Sequence, residues 1–492
     1  MTDETRIPVI VGGGQINDRP AEDAAGLNSL ELMEAALRAA DANAGGGWLA
    51  HLQSLTVVDQ LSFAELGDVS RPLAERLGAT PPHCEKTRYP SGDSPVLLLN
   101  QAAQRIARGE LEVAAVVGAE ALRTAAKRAA QKPDAVRQAA AAGARPLRQR
   151  YGIVAPTDIY PLYENACRAR WGQTLAEAQA ESAEIWSRFS QVAANNPAAW
   201  LRKPLSPADI LVVNADNRPI AFPYTKLMVA NASVNQGAGF IVTSLAKAKQ
   251  MGVREEQLVY VGAGAAAREP GDVLVRDTYD HSASLEVSLH GALEANGLTS
   301  ADLDHVELYS CFPCIPKLAR RAIQWPLEKP MSVFGGLTFG GGPVGNYMSH
   351  AIVSMLERLR AGGTHGLLFG NGGFATTNHA IVISRDPAIA SRAARDFDMQ
   401  ARADAARGPV PLLDEDYAGA ATIETYTIFY DRAGAPKFGV IIGRTPAGAR
   451  TLARVDGGDA EMIALLTSGQ SEPVGAPGVI ADVGDVKVWR RA

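Results

Sequence analysis

The chain has 492 residues, 47% of them hydrophobic and 21% charged, an ordinary globular composition with room for roughly two to four domains. A net charge of −5 gives no whole-chain case for a nucleic-acid or membrane partner, and no stretch is apolar for long enough to span a bilayer. Four cysteines (Cys84, Cys167, Cys311, Cys314) are too few for a disulfide scaffold, and "MTDETRIPVIVGGG" does not read as a targeting peptide, so a reducing cytoplasm is the expected setting. The first strand is "IPVIVGGGQ", Ile7 to Gln15. An amphipathic helix follows from Ser29, with Leu30, Met33 and Leu37 on one face, then the strand "LTVVD", Leu55 to Asp59. Next comes "YPSGDSPVLLLNQAAQRIARG", Tyr89 to Gly109, a Gly-containing corner running straight into an apolar helix. Pro95 sits where Pro suits a first helical turn. The strands Val113 to Gly118 and Gly239 to Ser244 complete this run.

The order then repeats. "QLVYVGAGA" (Gln257 to Ala265) is followed by a helix from Ser284 with Leu285, Leu289 and Leu293 on one face, and by the strand "HVELY" (His305 to Tyr309). "GGGPVGNYMSHAIVSMLERLRAGG" is again a glycine turn and a helix, and strands at Gly366 to Gly370 and His379 to Ser384 close the set. Two βαβαβ-type halves predict an α/β protein whose Gly-turn helices pack at the centre, with their N-terminal turns converging on one cleft.

Between strands of the first half lies an insertion, about 123–224. It opens with a basic run: Arg123, Lys127, Arg128, Lys132, Arg137, Arg145, Arg148 and Arg150, against one acid, Asp134. This is either a solvated flap or a clamp for a phosphorylated ligand. A helix near Glu177 to Asn195 follows. The last 80 or so residues read as three alternating strands, a short helix near Asp459 to Leu466, and two more strands, the order of a small five-stranded barrel of OB type.

With these motifs in place, the chain resembles the thiolase superfamily over about residues 5 to 390. "GELEVAAVVGAEAL" is similar to the family's strand ending in Gly-Gly-x-Glu-Ser, and "NASVNQGAGFIVTS" to its Asn-Ala-Ser segment. "VELYSCFP" sits where thiolases carry Asn-Glu-Ala-Phe and the sterol-carrier branch carries His-Asp-Cys-Phe. "GGLTFGGGPVGN" sits at Gly-Gly-x-x-x-x-Gly-His-Pro-x-Gly. With the extra C-terminal region, the best match is thiolase-like protein type 1, a group often labelled acetyl-CoA acetyltransferase. The resemblance implies a five-layered α-β-α-β-α core from residues 1–122 with 223–252, and 253–390. It also implies a loop domain at 123–222 and an OB-like domain at 410–492.

The same resemblance places Gly92 at the nucleophilic Cys, Gly370 at the acid/base Cys, Gly342 at the His and Tyr309 at the Asn of the family's catalytic set. Glycine has no side chain to take an acyl group or a proton, so ordinary Claisen chemistry is not expected. Three readings stay open. The first is a CoA or acyl-CoA binder with altered or absent acyl transfer. Asn231, Ser233, Arg148, Arg150 and the Gly342 turn would hold CoA as a ligand, with no tightly bound cofactor. The second is a retro-aldol carbon–carbon lyase using Tyr309 and Tyr347. The third is a non-catalytic binding or scaffold protein.

Candidate reactive groups are Cys311, Tyr309, His350, His379 and Asp93. Four of them also have a plain structural reading: a buried small thiol for Cys311, packed histidines for His350 and His379, a charge at a helix start for Asp93. "SGDSP" lacks the Gly-x-Ser-x-Gly elbow, which leaves Ser94 as a cap or first-turn residue. "CFPC" has redox spacing in the wrong fold and too few ligands for zinc, so no metal is expected. "GGGPVG" satisfies Gly-x-Gly-x-x-Gly without a clear preceding strand. Neither a membrane nor a nucleic-acid partner is expected, and the oligomer is a monomer or a homodimer.

Overall fold

The computed structural model describes residues 3–131, 146–484 and 486–491. Lys132, Asp134, Arg137 and Arg145 of the basic run lie outside them.

The first half begins with β1 (Pro8–Asn17), α1 (Ser29–Asn43), β2 (Ser54–Val57), α2 (Ser70–Leu77), β3 (His83–Lys86), α3 (Ser94–Ala107) and β4 (Val113–Ala121). The inserted region holds α4 (Leu122–Ala130), α5 (Leu147–Arg150), α6 (Pro156–Arg170), α7 (Leu175–Ala194), α8 (Pro207–Leu211) and a short hairpin, β5 (Pro219–Ala221) and β6 (Tyr224–Thr225). Then β7 (Asn235–Ser244) returns to the first half and α9 (Leu245–Gln250) leads out of it. The second half is β8 (Val259–Arg268), α10 (Ala283–Asn296), β9 (His305–Leu308), α11 (Cys314–Ala322), α12 (Tyr347–Ala361), β10 (His365–Gly372) and β11 (Thr377–Ser384). After α13 (Gln400–Ala406) come β12 (Gly419–Tyr430), β13 (Pro436–Arg444), β14 (Arg450–Asp456), α14 (Ala460–Thr467), β15 (Pro477–Val483) and β16 (Val486–Arg491).

The two halves meet edge to edge. Their strands run β3-β2-β4-β7-β1 and β8-β11-β10-β9, joined where Val9 and Ile10 pair with Tyr260 and Val259. α3 and α12 contact each other and strands of both halves, while α1 and α10 pack on β1 and β8 from outside. That is the five-layered arrangement the repeat predicts. It explains why α12 is buried nearly all round: Tyr347, Met348, Ala351, Ile352 and Met355 have no exposed surface. The helix starts differ slightly from the expected serines. α1 is capped by Asn28, whose side chain accepts from Glu31 N while Glu31 reaches back to Asn28 N. α10 is capped by Ser282, two residues before Ser284.

The C-terminal strands close a barrel in the order β12-β13-β14-β16-β15-β12. β14 and β16 run parallel and α14 bridges β14 to β15, which is the OB connectivity. The barrel is fastened to the rest of the chain at several points. Arg450, fully buried, donates to the carbonyls of Leu274 (2.7 Å) and Arg276 (2.6 Å) and pairs with Glu424. Asn165 of α6 donates to the Tyr426 carbonyl, and β5 adds to the edge of β12. No helix among the described residues is long and apolar enough to cross a membrane.

Candidate functional site

The corner at residues 89–93 folds because small hydroxyls satisfy its backbone. Ser94 starts α3, buried, and its hydroxyl accepts from Ser91 N at 3.1 Å. That makes Ser94 a cap of the turn and removes the hydrolase reading. Asp93 precedes α3 without a side-chain bond to the helix N–H groups. Its Oδ1 instead accepts from Ser91 Oγ (2.5 Å) and Thr377 Oγ1 (2.6 Å), so residues of both halves meet on one carboxylate.

Asp93 and Thr377 lie where two adjoining cavities of about 770 and 650 Å³ meet. Both also share Leu97 and Arg268. The larger is cationic, with Lys86, Arg88, Arg105 and Arg108 among its walls against Glu85 and Asp93. The smaller reaches His379, the histidine expected near the cleft, which is fully buried behind it. Asn100 Nδ2 lies 3.0 Å from His379 Nε2. With the amide donating, Nε2 accepts and the proton sits on Nδ1, which has no partner among the described residues. Burial holds its pKa at about 3, so the ring is neutral. Thus Asp93 and His379 are brought together in one cleft.

The other face of the same corner is closed. A Cβ on Gly92 would strike the Asn371 carbonyl and the Tyr309 hydroxyl. The space of a nucleophilic side chain is therefore filled by Tyr309. Gly370 has no room either, since its Cβ would lie 2.9 Å from Asp93 Cα. Tyr309 is 7% exposed, its hydroxyl has no hydrogen-bond partner among the described residues, and burial with the nearby Cys311 and Asp93 pushes its pKa well above the ordinary range. It is therefore a neutral phenol at neutral pH, not a tyrosinate.

Tyr347 meets Tyr309 edge to face at 5.7 Å and donates to Glu307 Oε1 at 2.7 Å. Glu307 is fully buried, also accepts from Ser332 Oγ and Val333 N, and has its pKa raised to about 7 by burial. Cys311 lies beside this group. Burial pushes its thiol up to about 12, which removes the thiolate a nucleophile would need. Cys311 and Cys314 are both free thiols.

The remaining candidates sit apart. His350 lies in the first turn of α12. It is stacked on Phe334 at 4.9 Å, bonded through Nδ1 to Gln15, and neutral with a pKa near 3. Asn231 and Gly342 touch: Gly342 N donates to Asn231 O at 2.8 Å, and Ser233 follows, exposed. A Cβ on Gly342 would be 3.3 Å from the carbonyls of Asn231 and Leu337. Arg148 and Arg150 are already engaged, Arg148 over Phe374 and on the Ile153 carbonyl, Arg150 with Glu415 of the C-terminal region. Arg123 pairs with Asp23, and Arg128 donates to the Ala24 and Gly26 carbonyls. "GGGPVG" runs out of a π-helical turn, Gly336–Gly340, so the dinucleotide geometry is missing.

Sequence reading missed Tyr160. Its hydroxyl reaches Asn371 Oδ1 and Gly373 O, receives Ala375 N, and its ring stacks on Phe312 at 4.4 Å. Nothing in "TDIYPLYENACRAR" signals that contact, because its partners are more than 150 residues away.

A duplicated, five-layered core with paired glycine-turn helices and a region inserted in the first half is the thiolase fold. Comparison with known proteins extends this. The family described as thiolase-like protein type 1 additional C-terminal domain matches residues 398–485. A monomeric SCP2-thiolase-like protein type 1 from Mycobacterium smegmatis is 30% identical over 100% of both chains, with a TM-score of 0.83. The chain belongs to the SCP2-thiolase-like protein type 1 family. More distant likenesses concern the fold alone. An Ltp2-ChsH2(DUF35) aldolase is 17% identical over 78% of this chain and 99% of that one, with a TM-score of 0.59. Human mitochondrial 3-ketoacyl-CoA thiolase in complex with CoA is 16% identical over 77% and 98%, with a TM-score of 0.58. No curated protein matches the chain.

Proposed function

We propose that this protein binds CoA or an acyl-CoA on a thiolase scaffold and does not transfer the acyl group through cysteine. The observation that carries the reading is the Tyr309 hydroxyl in the space a side chain at Gly92 would need. Without a nucleophile there, a thioester can be held but not attacked. The glycine turns of α3 and α12 offer backbone donors to a thioester carbonyl. The exposed Ser233 and the neighbouring Asn231 border the Gly342 turn, where a pantetheine arm would run. Calorimetric titration of the full chain with CoA and a series of acyl-CoAs tests this. Saturable binding of both is expected, and no heat beyond dilution would overturn it.

One observation favours a second reading, a retro-aldol cleavage of a 3-hydroxyacyl-CoA. Cleavage of the C2–C3 bond passes the 3-hydroxyl proton to a base and leaves an enolate thioester; Tyr309, an unpaired hydroxyl kept protonated, would protonate the enolate carbon and regain a proton from that base. Release of an aldehyde or ketone, abolished in Tyr309→Phe, would support it; cleavage unchanged in that variant would remove Tyr309 from the mechanism.

The proposed state is a monomer. The edge strand that could pair with a second copy, β3, is only His83–Lys86 and carries charge on an exposed edge, a pattern that discourages edge pairing. Light scattering should give the mass of one chain; a dimer mass would refute this.

A further inference from the structure

Three arginines from separate parts of the sequence meet away from the Asp93 cleft. Arg19 follows β1, Arg123 lies on α4, and Arg202 follows Trp200 in the inserted region. Two neighbouring hollows, about 400 and 230 Å³, both have Arg19 and Trp200 in their walls. Arg202 lines the first and Arg123 the second. Arg19 is held in place: its guanidinium lies 4.2 Å from the centre of the Trp200 ring and donates to the Trp200 carbonyl. Burial and the charges of Arg123 and Arg202 together hold its pKa below arginine's ordinary value.

Two acids, Asp18 and Asp23, lie in the wall of the second hollow, and none lies in the wall of the first. Asp23 pairs with Arg123 at 2.6 Å, and Asp18 Oδ2 accepts from Leu27 N at 2.7 Å. Arg202 is exposed and has no ion-pair partner among the described residues. Arg19 and Arg202 share the first hollow with no carboxylate in its wall, and like charges so placed repel, a cost that a bound anion relieves. Guanidinium groups match phosphate oxygens two at a time, which an ammonium does not.

The hollow is also placed to serve the ligand end it would hold. Trp200 N donates to Gly340 O at 2.9 Å and Leu201 N to Phe339 O at 2.7 Å. Gln236 Nε2 ties Asn17 (2.8 Å) to Gly340 (2.9 Å). The arginine hollow is thus hydrogen-bonded to the segment that continues into Gly342 and touches Asn231.

We propose that Arg19, Arg202 and Trp200, with Arg123 at the rim, form a phosphate-binding subsite that takes the phosphorylated nucleotide end of the thioester carrier. This rests on the acyl-CoA reading and names the residues that reading lacked once Arg148 and Arg150 proved to be engaged elsewhere.

The test is calorimetry on the full chain with three probes: CoA, adenosine 3′,5′-bisphosphate, and pantetheine, which has no phosphate. Wild type is compared with Arg202→Glu and Arg202→Lys, chosen because Arg202 is exposed and its replacement leaves packing alone. The expected result is a tenfold or greater loss of CoA and bisphosphate affinity in Arg202→Glu, a smaller loss in Arg202→Lys, and unchanged pantetheine binding. Wild-type affinity for the two phosphate probes should fall steeply with salt. Equal CoA affinity in wild type and Arg202→Glu overturns the subsite while leaving CoA binding intact. Bisphosphate binding that Arg202→Glu abolishes, with no CoA binding, supports the subsite and overturns the carrier reading. No binding of any probe overturns both.

Discussion

At the scale of single residues, Tyr309 and Gly92 carry the proposal that this site does not transfer an acyl group through cysteine. A side chain at 92 and the tyrosine at 309 exclude each other in space. The neighbouring thiols follow the same physics. Burial raises the pKa of all four thiols, and Cys84, on β3, is the one that is only half-buried. Brief treatment of the native protein with iodoacetamide at neutral pH should label Cys84 first, read by peptide mass spectrometry. Preferential labelling of Cys311 would contradict its assignment as a protonated, enclosed thiol. Glu307 gives a pH signature. Its carboxyl ionises near 4.5 in the unfolded chain but near 7 when folded, because burial disfavours the charge. The unfolded chain therefore releases its proton first, and stability falls as pH rises from about 4.5 to 7. At ~1.4 kcal/mol per pH unit of displacement, the window spans on the order of 3 kcal/mol. His350 and His379, with pKa values near 3, act oppositely, since their neutral burial loses stability as pH falls below about 6.5. Comparing denaturant unfolding of wild type and Glu307→Gln across pH isolates the glutamate. Their difference should change by that amount over the window; a constant difference would refute the shift.

At the scale of elements, hydrophobic periodicity carried most of the reading. β1, α1, α3, β4, β8, α10, α12 and the barrel strands lie within a few residues of their expected bounds, because each has one clear apolar face or an apolar run. The exceptions have physical causes. α6 has Pro156 at its start and Pro161 inside, a pattern that reads as a break. It persists because both its ends are tied down by tertiary contacts: Tyr160 and Tyr163 to the β10–β11 turn, Asn165 and Arg168 to the barrel. α11 was hidden behind "CFPC", where Pro313 suggests a turn and in fact precedes the helix. α6 and α11 are joined by a buried ion pair, Glu164 to Lys317 at 2.5 Å, with side-chain exposures of 3% and 0%. Tyr224 also donates to Glu164. Breaking such a pair strands a charge. Lys317→Met should lower unfolding free energy by ~3–5 kcal/mol, measured by urea denaturation. Glu164→Gln combined with Lys317→Met should recover much of it, and a single variant that costs nothing would show that the pair is not a buried charge pair.

For the whole molecule, the duplicated order of strands and helices was enough to predict the layered core, and the spacing of five short strands was enough for the barrel. Neither could show how the pieces meet. Arg450, an ordinary strand residue in the sequence, becomes a buried tie between barrel and second half through carbonyls about 175 residues away. The candidate site was legible only in outline. Asp93 and His379 do share a cleft, but Thr377 reaches Asp93, and Tyr160 the Asn371–Gly373 turn, through contacts that no local pattern encodes. Arg148 and Arg150 belong to a basic run in the sequence and in the fold already have partners, Phe374 and the Ile153 carbonyl for the first and Glu415 for the second. What unites these findings is a thiolase fold in which the Tyr309 hydroxyl fills the space a side chain at Gly92 would need, and the proposal that it holds a thioester without attacking it. The most direct measurement follows acetyl-CoA labelled in its acetyl group through equilibrium dialysis against the full chain, then through denaturation. The account predicts saturable retention of label that is released on denaturation as intact acetyl-CoA. Label left covalently on the protein, or no retention at all, would contradict it.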